Sequence, residues 1–209
     1  QFNRKNIIIY NLEITMLQGI IKKGKALTID VPAPQVGKGM VLIKVIFSCI
    51  SAGTELSGLA RSKKPLIQRA WEQPDKVKKV LDILRDEGFT VAYAKVKNKL
   101  ESGTPIGYSV SGIVIAVGEG ISRFQPGDKV SAAGVGYAHH AEFVTVPENL
   151  VVKVPEEVSF EEASTVALGG IAIQSIRRAN LQLGEFGVVF GAGILGLLTT
   201  QMLIASGIR

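Results

Sequence analysis

The chain has 209 residues, 46% of them apolar and 20% charged, which is ample for a packed core and excludes intrinsic disorder as the main state. Its net charge of +6 is concentrated, because residues 61–101 hold eleven Lys/Arg against six Asp/Glu, so the remainder is close to balanced and a protein-wide basic groove is disfavoured. A single cysteine, Cys49, excludes an internal disulfide and a cysteine-built zinc knot, and it fits a reducing, cytoplasmic setting.

The amino end shows no signal peptide. The first methionine is Met16, and residues 1–15 are expected to be a leader outside the fold. Short strands are expected at Leu17–Ile21, Ala26–Val31 and Val41–Phe47, punctuated by Gly24, Pro32, Pro34, Gly37 and Gly39. The period then changes. Val77, Leu81 and Leu84 recur at helical spacing between Pro74 and Gly88, and Phe89, Tyr93, Val96 and Leu100 form a second stripe expected to face the core, with Lys95, Lys97 and Lys99 outward. This basic pair reads as the solvated face of amphipathic helices, since its aromatics lie on the apolar stripe; a nucleic-acid surface is the alternative.

Strands resume at Tyr108–Val117, too continuously apolar for a surface ribbon, then at Lys129–Ser131, Ala141–Val146 and Leu150–Val154. Ser159 with Glu161 and Glu162 opens a helix that continues through Ile171–Arg178. Gly187–Phe190 is expected to be a buried strand, followed by Gly191-Ala-Gly193-Ile-Leu-Gly196, an apolar helix to Ser206 and a stop at Gly207. Residues 187–208 carry no charge, but five glycines and Thr199, Thr200 and Gln201 interrupt them, so burial in a parallel sheet explains the apolarity better than a membrane span.

The glycine run has the G-x-G-x-x-G spacing in the context that gives it meaning, between an apolar strand and a helix. Gly191 permits the tight turn, Gly193 lets a pyrophosphate approach the backbone, and Gly196 lets helix and strand pack closely; the amides of Ile194 and Leu195 then point at phosphate. The alternative is a glycine-rich turn that binds nothing. His139 and His140 are adjacent, so on a strand they point to opposite faces and cannot easily share one metal. No carboxylate partner for either is evident in the sequence. Cys49 reads as a small core thiol more readily than as a nucleophile.

Taken in order, Ser51-Ala-Gly-Thr-Glu55, Gly107-Tyr-Ser through Gly118, Gly127-Asp-Lys-Val130, Ala141-Glu-Phe and the Gly191 loop resemble the medium-chain dehydrogenase/reductase superfamily over residues 17–209. The resemblance implies an α/β protein: a GroES-like β-rich catalytic domain over 16–154 with a helical insertion at 61–101, then the start of a truncated Rossmann domain over 155–209. It also implies NAD or NADP as cofactor and hydride exchange with an alcohol, carbonyl or sugar-derived substrate. Where zinc-dependent relatives carry Cys-Gly-Thr-Asp and Gly-His-Glu, this chain reads Ala52-Gly-Thr-Glu55 and Gly107-Tyr-Ser109, so no zinc is expected. Thr54 then matches the proton-relay hydroxyl and Tyr108 stands in the place of a metal-binding histidine, making these the candidate catalytic donors. A capping role for Thr54 and a strand-edge role for Tyr108 are the alternatives.

The pattern Gly-Tyr-Ala-His-His-Ala-Glu142 with the helical insertion is more similar still to bi-domain oxidoreductases. These place a zinc-less dehydrogenase module before a second oxidoreductase module, among polysaccharide biosynthesis functions. A covalently linked carboxy-terminal module and a homo-oligomer are therefore open partners, and neither nucleic acid nor membrane is expected. Because residues 16–209 stop before the acidic ribose-binding position, this stretch by itself is expected to be inactive. A non-catalytic cofactor-binding or assembly module is the competing reading.

Overall fold

The computed structural model describes residues 15–65, 68, 71 and 74–209. Apart from Thr15, the expected leader lies outside them. Two antiparallel sheets form the first part. The smaller contains β1 (Thr15–Lys22), β2 (Lys25–Pro32) and β4 (Thr104–Pro105) in the order β2-β1-β4. The larger contains β3 (Met40–Ser48), β5 (Ser109–Val117), β6 (Lys129–Ala133), β7 (Phe143–Pro147) and β8 (Val151–Lys153) in the order β7-β3-β5-β6-β8. A 3₁₀ turn at Glu148–Leu150 leads from β7 into β8.

The core lies against the larger sheet. Val41, Ile43, Val110, Val114, Val130, Ala132, Val144, Val146 and Val151 are buried there with Phe124 and Ala138. The β-branched residues that make these segments strands therefore also supply the core, as a pleated surface favours. β5 sits in the middle, between β3 and β6, which explains its apolar run.

The helical part departs from expectation in two respects. It starts with α1 (Ala52–Lys63), well before residue 61, and continues in α2 (Pro74–Glu87) and α3 (Phe89–Ser102). Pro74 opens α2 as expected, since its missing N–H is one that a first turn leaves unused. The aromatic half of the α3 stripe does not face the core. Phe89 and Tyr93 are 74% and 60% exposed and stack on each other at 6.2 Å, Val96 is half-buried, and Ala92 is the buried residue among those described, while the Lys99 and Leu100 side chains lie outside the described residues. A small side chain lets α3 approach β1 more closely than aromatics would.

Residues 134–142 join the two sheets. The Gly19 N–H donates to the His140 carbonyl at 2.7 Å, the His140 N–H to the Ile106 carbonyl at 2.8 Å, and the Glu142 N–H to the Leu17 carbonyl at 3.2 Å. His139, inside this connection, is half-buried. Burial pushes its imidazole below the ordinary histidine value, with the backbone at Gly136 and Gly107 pulling the other way.

Beyond β8, the expected single helix is two: α4 (Phe160–Ala163) and α5 (Val166–Ala179), broken at Ser164. Ser159 and Glu162 cap α4 reciprocally, the side chain of each accepting from the other's backbone N–H. Hydroxyls on the sheet hold this break. Ser109, 1% exposed, donates to the Ser164 carbonyl and accepts from the Ala167 N–H at 3.0 Å; Ser111 donates to the Phe160 carbonyl and Ser131 reaches that of Ala163. Lys129 adds a cation: its Nζ donates to the carbonyls of Pro155, Glu156 and Val158 and lies 5.1 Å from the centre of the Phe160 ring.

The last helix, α6 (Ile194–Ala205), packs against α5, with the Met202 side chain lying over Gly169. It ends at Gly207, whose φ of +78° allows the Gly207 N–H to reach the Ile204 carbonyl and the Ile208 N–H that of Leu203, with Leu203 and Ile208 both buried. The strand expected at Gly187–Phe190 is not formed. Val188 and Phe190 are exposed, and only the Gly187 end is paired. Gly187 pairs with Arg209 alone among the described residues, which is too little ladder to make a strand. With α6 at 12 residues, no helix among the described residues is long and apolar enough to cross a membrane.

Two outcomes follow from these contacts. Ser109→Ala strands a buried carbonyl and an amide, and thermal melting should show a loss of about 1–3 kcal/mol; an unchanged melting temperature would show that the hydroxyl is idle. For His139, the unfolded chain binds the extra proton more readily, so stability should fall as pH drops below about 6.5, the ordinary value, toward the depressed folded one. His139→Gln should flatten that part of the pH–stability curve, and an unaltered slope would contradict this origin.

Candidate functional site

The glycine loop turns where its sequence requires it. Gly191 has φ of +105°, a conformation glycine adopts without penalty. A Cβ at Gly196 would overlap the Gly191 carbonyl, so the first turn of α6 packs directly on the backbone of the bend. Gly193, the N-cap of α6, has an ordinary φ of −75° and nothing within 4 Å of where a Cβ would stand. The three glycines thus provide a turn, an open backbone and a close approach, while Ile194 and Leu195 occupy the first turn of α6, whose amides have no intrahelical acceptor. That combination of free donors and a helix's positive end can seat an anion.

The chain folds back beside the segment that leads into the loop. The Arg209 N–H donates to the Glu185 carbonyl at 2.8 Å and the Gly187 N–H to the Arg209 carbonyl at 2.7 Å. One residue bonded to two others spaced two apart is the pattern of parallel strands. The stretch from 185 to 209 therefore has the strand-direction, helix, strand-direction order of a parallel crossover.

Thr54 and Tyr108 stand on other elements. Thr54 is exposed in the first turn of α1, where Ser51 Oγ donates to Thr54 Oγ1 at 3.2 Å. The N-cap hydroxyl is thereby used on Thr54 and not on the helix backbone. Tyr108 is half-buried immediately before β5, its carbonyl accepting from the Gly134 N–H at 2.9 Å.

Sequence reasoning missed the side-chain pair between them. Glu55 Oε1 lies 2.9 Å from His140 Nε2, with both side chains largely buried, and it also accepts the Ser51 N–H at 3.2 Å. His140 therefore has the carboxylate partner that was not evident in the sequence, 85 positions away. Gly107 packs on His140: a Cβ there would meet the His140 backbone nitrogen at 2.6 Å and the ring atoms Nδ1 and Cγ at 2.9 Å, and Gly107 has φ of +94°. The one local signal was the glycine before Tyr108, which marks a close approach without saying of what.

Cys49 is half-buried just beyond β3. Burial pushes its thiol up, and the Glu55 charge adds to the effect, so it stays protonated near neutrality and is poorly placed as a nucleophile. Among the described residues, no group of three His, Cys, Asp or Glu side chains comes together to hold a metal ion.

Residues 82–156 match the alcohol dehydrogenase GroES-like domain. The chain is 30% identical over 125 residues to (R,R)-butanediol dehydrogenase of Bacillus subtilis, a match covering 49% of this chain and 36% of that protein. The chain thus spans well under two thirds of the curated relatives it matches. Among solved structures, the quinone oxidoreductase of Coxiella burnetii superposes with a TM-score of 0.68 at 22% identity, over 94% of this chain and 55% of that one. A mycobacterial protein complexed with NADPH superposes with a TM-score of 0.63 at 24% identity, over 94% and 52%. These likenesses in structure show the fold. Residues 82–156 thus carry the sequence pattern of the alcohol dehydrogenase GroES-like domain, and the chain is similar in sequence to dehydrogenases over about half its length and similar in fold over nearly all of it.

Proposed function

We propose that the chain is part of an oxidoreductase that moves hydride between NAD or NADP and an alcohol or carbonyl carbon without a catalytic zinc. The observation that carries this reading is the Gly191–Gly196 geometry: an open backbone position facing the unpaired amides of a helix start. A dinucleotide's pyrophosphate fits that opening, held by the N–H groups of Ile194 and Leu195 with Gly193 leaving room for it. Bound there, the nicotinamide would supply the hydride-transfer chemistry.

The chain's own residues have a narrower task. A carbonyl oxygen gaining negative charge needs donors, and the zinc ligand positions read Ala52 and Tyr108, neither of which suits a zinc site in the family manner. Thr54 and Tyr108 are the proposed donors, through hydroxyls aimed at the developing alkoxide. The division into a catalytic domain over 16–154 and a Rossmann domain beginning at 155 belongs to the same proposal; the capping of α4 after Pro155 and the parallel return at Arg209 support it. So do a cytoplasmic location, in keeping with the cysteine count of one, and a sugar-derived substrate, which the bi-domain resemblance suggests.

Gly193→Ala tests the reading in the protein at its natural length. A methyl group there meets no protein atom within 4 Å and no unfavourable φ, so the fold is expected to be kept, with at most about 1 kcal/mol lost to alanine at an N-cap. NADPH and NADH affinity, followed by cofactor fluorescence, should nevertheless fall about tenfold or more, a cost of ~1.4 kcal/mol or greater. Undiminished affinity with an unchanged melting temperature would remove the dinucleotide from this loop.

A further inference from the structure

Thr54 and Tyr108 belong to separate elements, α1 and the lead into β5, and a pair of hydroxyls acts on one oxygen only if their separation is fixed. We propose that Glu55 and His140 are the positioning pair that holds the turn of Thr54 against the Gly107–Tyr108 segment; this rests on the oxidoreductase reading for its catalytic consequence and on the contacts alone for its geometry.

The contacts run without a break. Ser51 Oγ donates to Thr54 Oγ1 at 3.2 Å and the Ser51 N–H donates to Glu55 Oε1 at 3.2 Å, so the carboxylate fixes the turn that carries Thr54. The same Glu55 oxygen meets His140 Nε2 at 2.9 Å. The His140 ring lies on Gly107, the residue before Tyr108, and its backbone is clamped on both sides, N–H to the Ile106 carbonyl and carbonyl to the Gly19 N–H. His140 Nδ1 is buried without a hydrogen-bond partner. Gly107, with φ of +94° and no Cβ, is the residue that admits this close approach of the His140 backbone and ring. Glu55 bonds Ser51 and His140, and His140 bonds Glu55 through its ring and Ile106 and Gly19 through its backbone, which is what a spacer between two elements requires. Neither Glu55 nor His140 need touch substrate to act this way.

The test compares wild type, Glu55→Gln, His140→Gln and the double variant in the protein at its natural length, with Glu55→Asp as a milder change should a variant fold poorly. NADPH oxidation is followed with 1,4-benzoquinone and an aldehyde as carbonyl probes. Each single variant is expected to lose roughly 10- to 100-fold in kcat with NADPH affinity retained, and the double variant to lose no more than either single, as members of one unit do. Independent, multiplying losses, or a loss confined to NADPH affinity, would overturn the proposal. Amide hydrogen exchange is read in parallel. Either single variant should speed exchange in both the 52–55 turn and the 106–108 segment, whereas acceleration only on the side of the substitution would overturn it. If wild type binds NADPH yet reduces neither probe, the oxidoreductase reading fails for those substrates while the exchange result still decides the pair.

Discussion

The contact on which the functional account depends is the Gly191 carbonyl lying against Gly196, backbone on backbone, with no space for a side chain. It draws the first turn of α6 under the bend and leaves Gly193 open at the helix start. Any larger residue at 196 would force the helix away and close the angle through which the amides of Ile194 and Leu195 face outward. The parallel return through Arg209 then sets the direction of the chain on either side of the bend. Polar groups carry this arrangement back to the β-rich part. The hydroxyls of Ser109, Ser111 and Ser131 hold α4 and the start of α5, and α5 carries α6. A buried hydroxyl binding a helix carbonyl fixes orientation as well as distance, which apolar packing alone does not.

Much of the fold was legible in the sequence because its signals are local. Alternation of Val and Ile with punctuating glycines located seven of the eight strands to within a residue or two, missing only the two-residue β4, and the largely apolar run of β5 correctly excluded a surface ribbon. Ser159 with Glu161 and Glu162 announced a helix start, since acidic side chains favour a helix's positive N-terminal end. What could not be read was tertiary. Phe89 and Tyr93 have helical spacing but stack on each other outside the core, because spacing defines a stripe and not what lies opposite it. Val188 and Phe190 look like a buried strand, but strand formation is decided by a neighbour that no local pattern contains.

The candidate site divides along the same line. The glycine loop is contiguous, and the turn at Gly191 and the close approach at Gly196 were expected from position. Thr54 and Tyr108 were reached only through resemblance, and Thr54 proved to sit in a helix that periodicity had not marked, since Ala52-Gly-Thr-Glu reads equally well as a turn. Glu55 and His140 lie 85 positions apart. Their pairing arises from the 134–142 connection crossing β1 and the 106 segment, a topological fact with no signature in either stretch alone.

The most direct test of the account is an NMR titration of the protein at its natural length with NADPH, following the backbone amides. Binding in the glycine loop predicts that the resonances of Gly193, Ile194 and Leu195 shift most and saturate together. Saturation with these three unmoved, and the largest shifts instead in the basic helices α2 and α3, would contradict it.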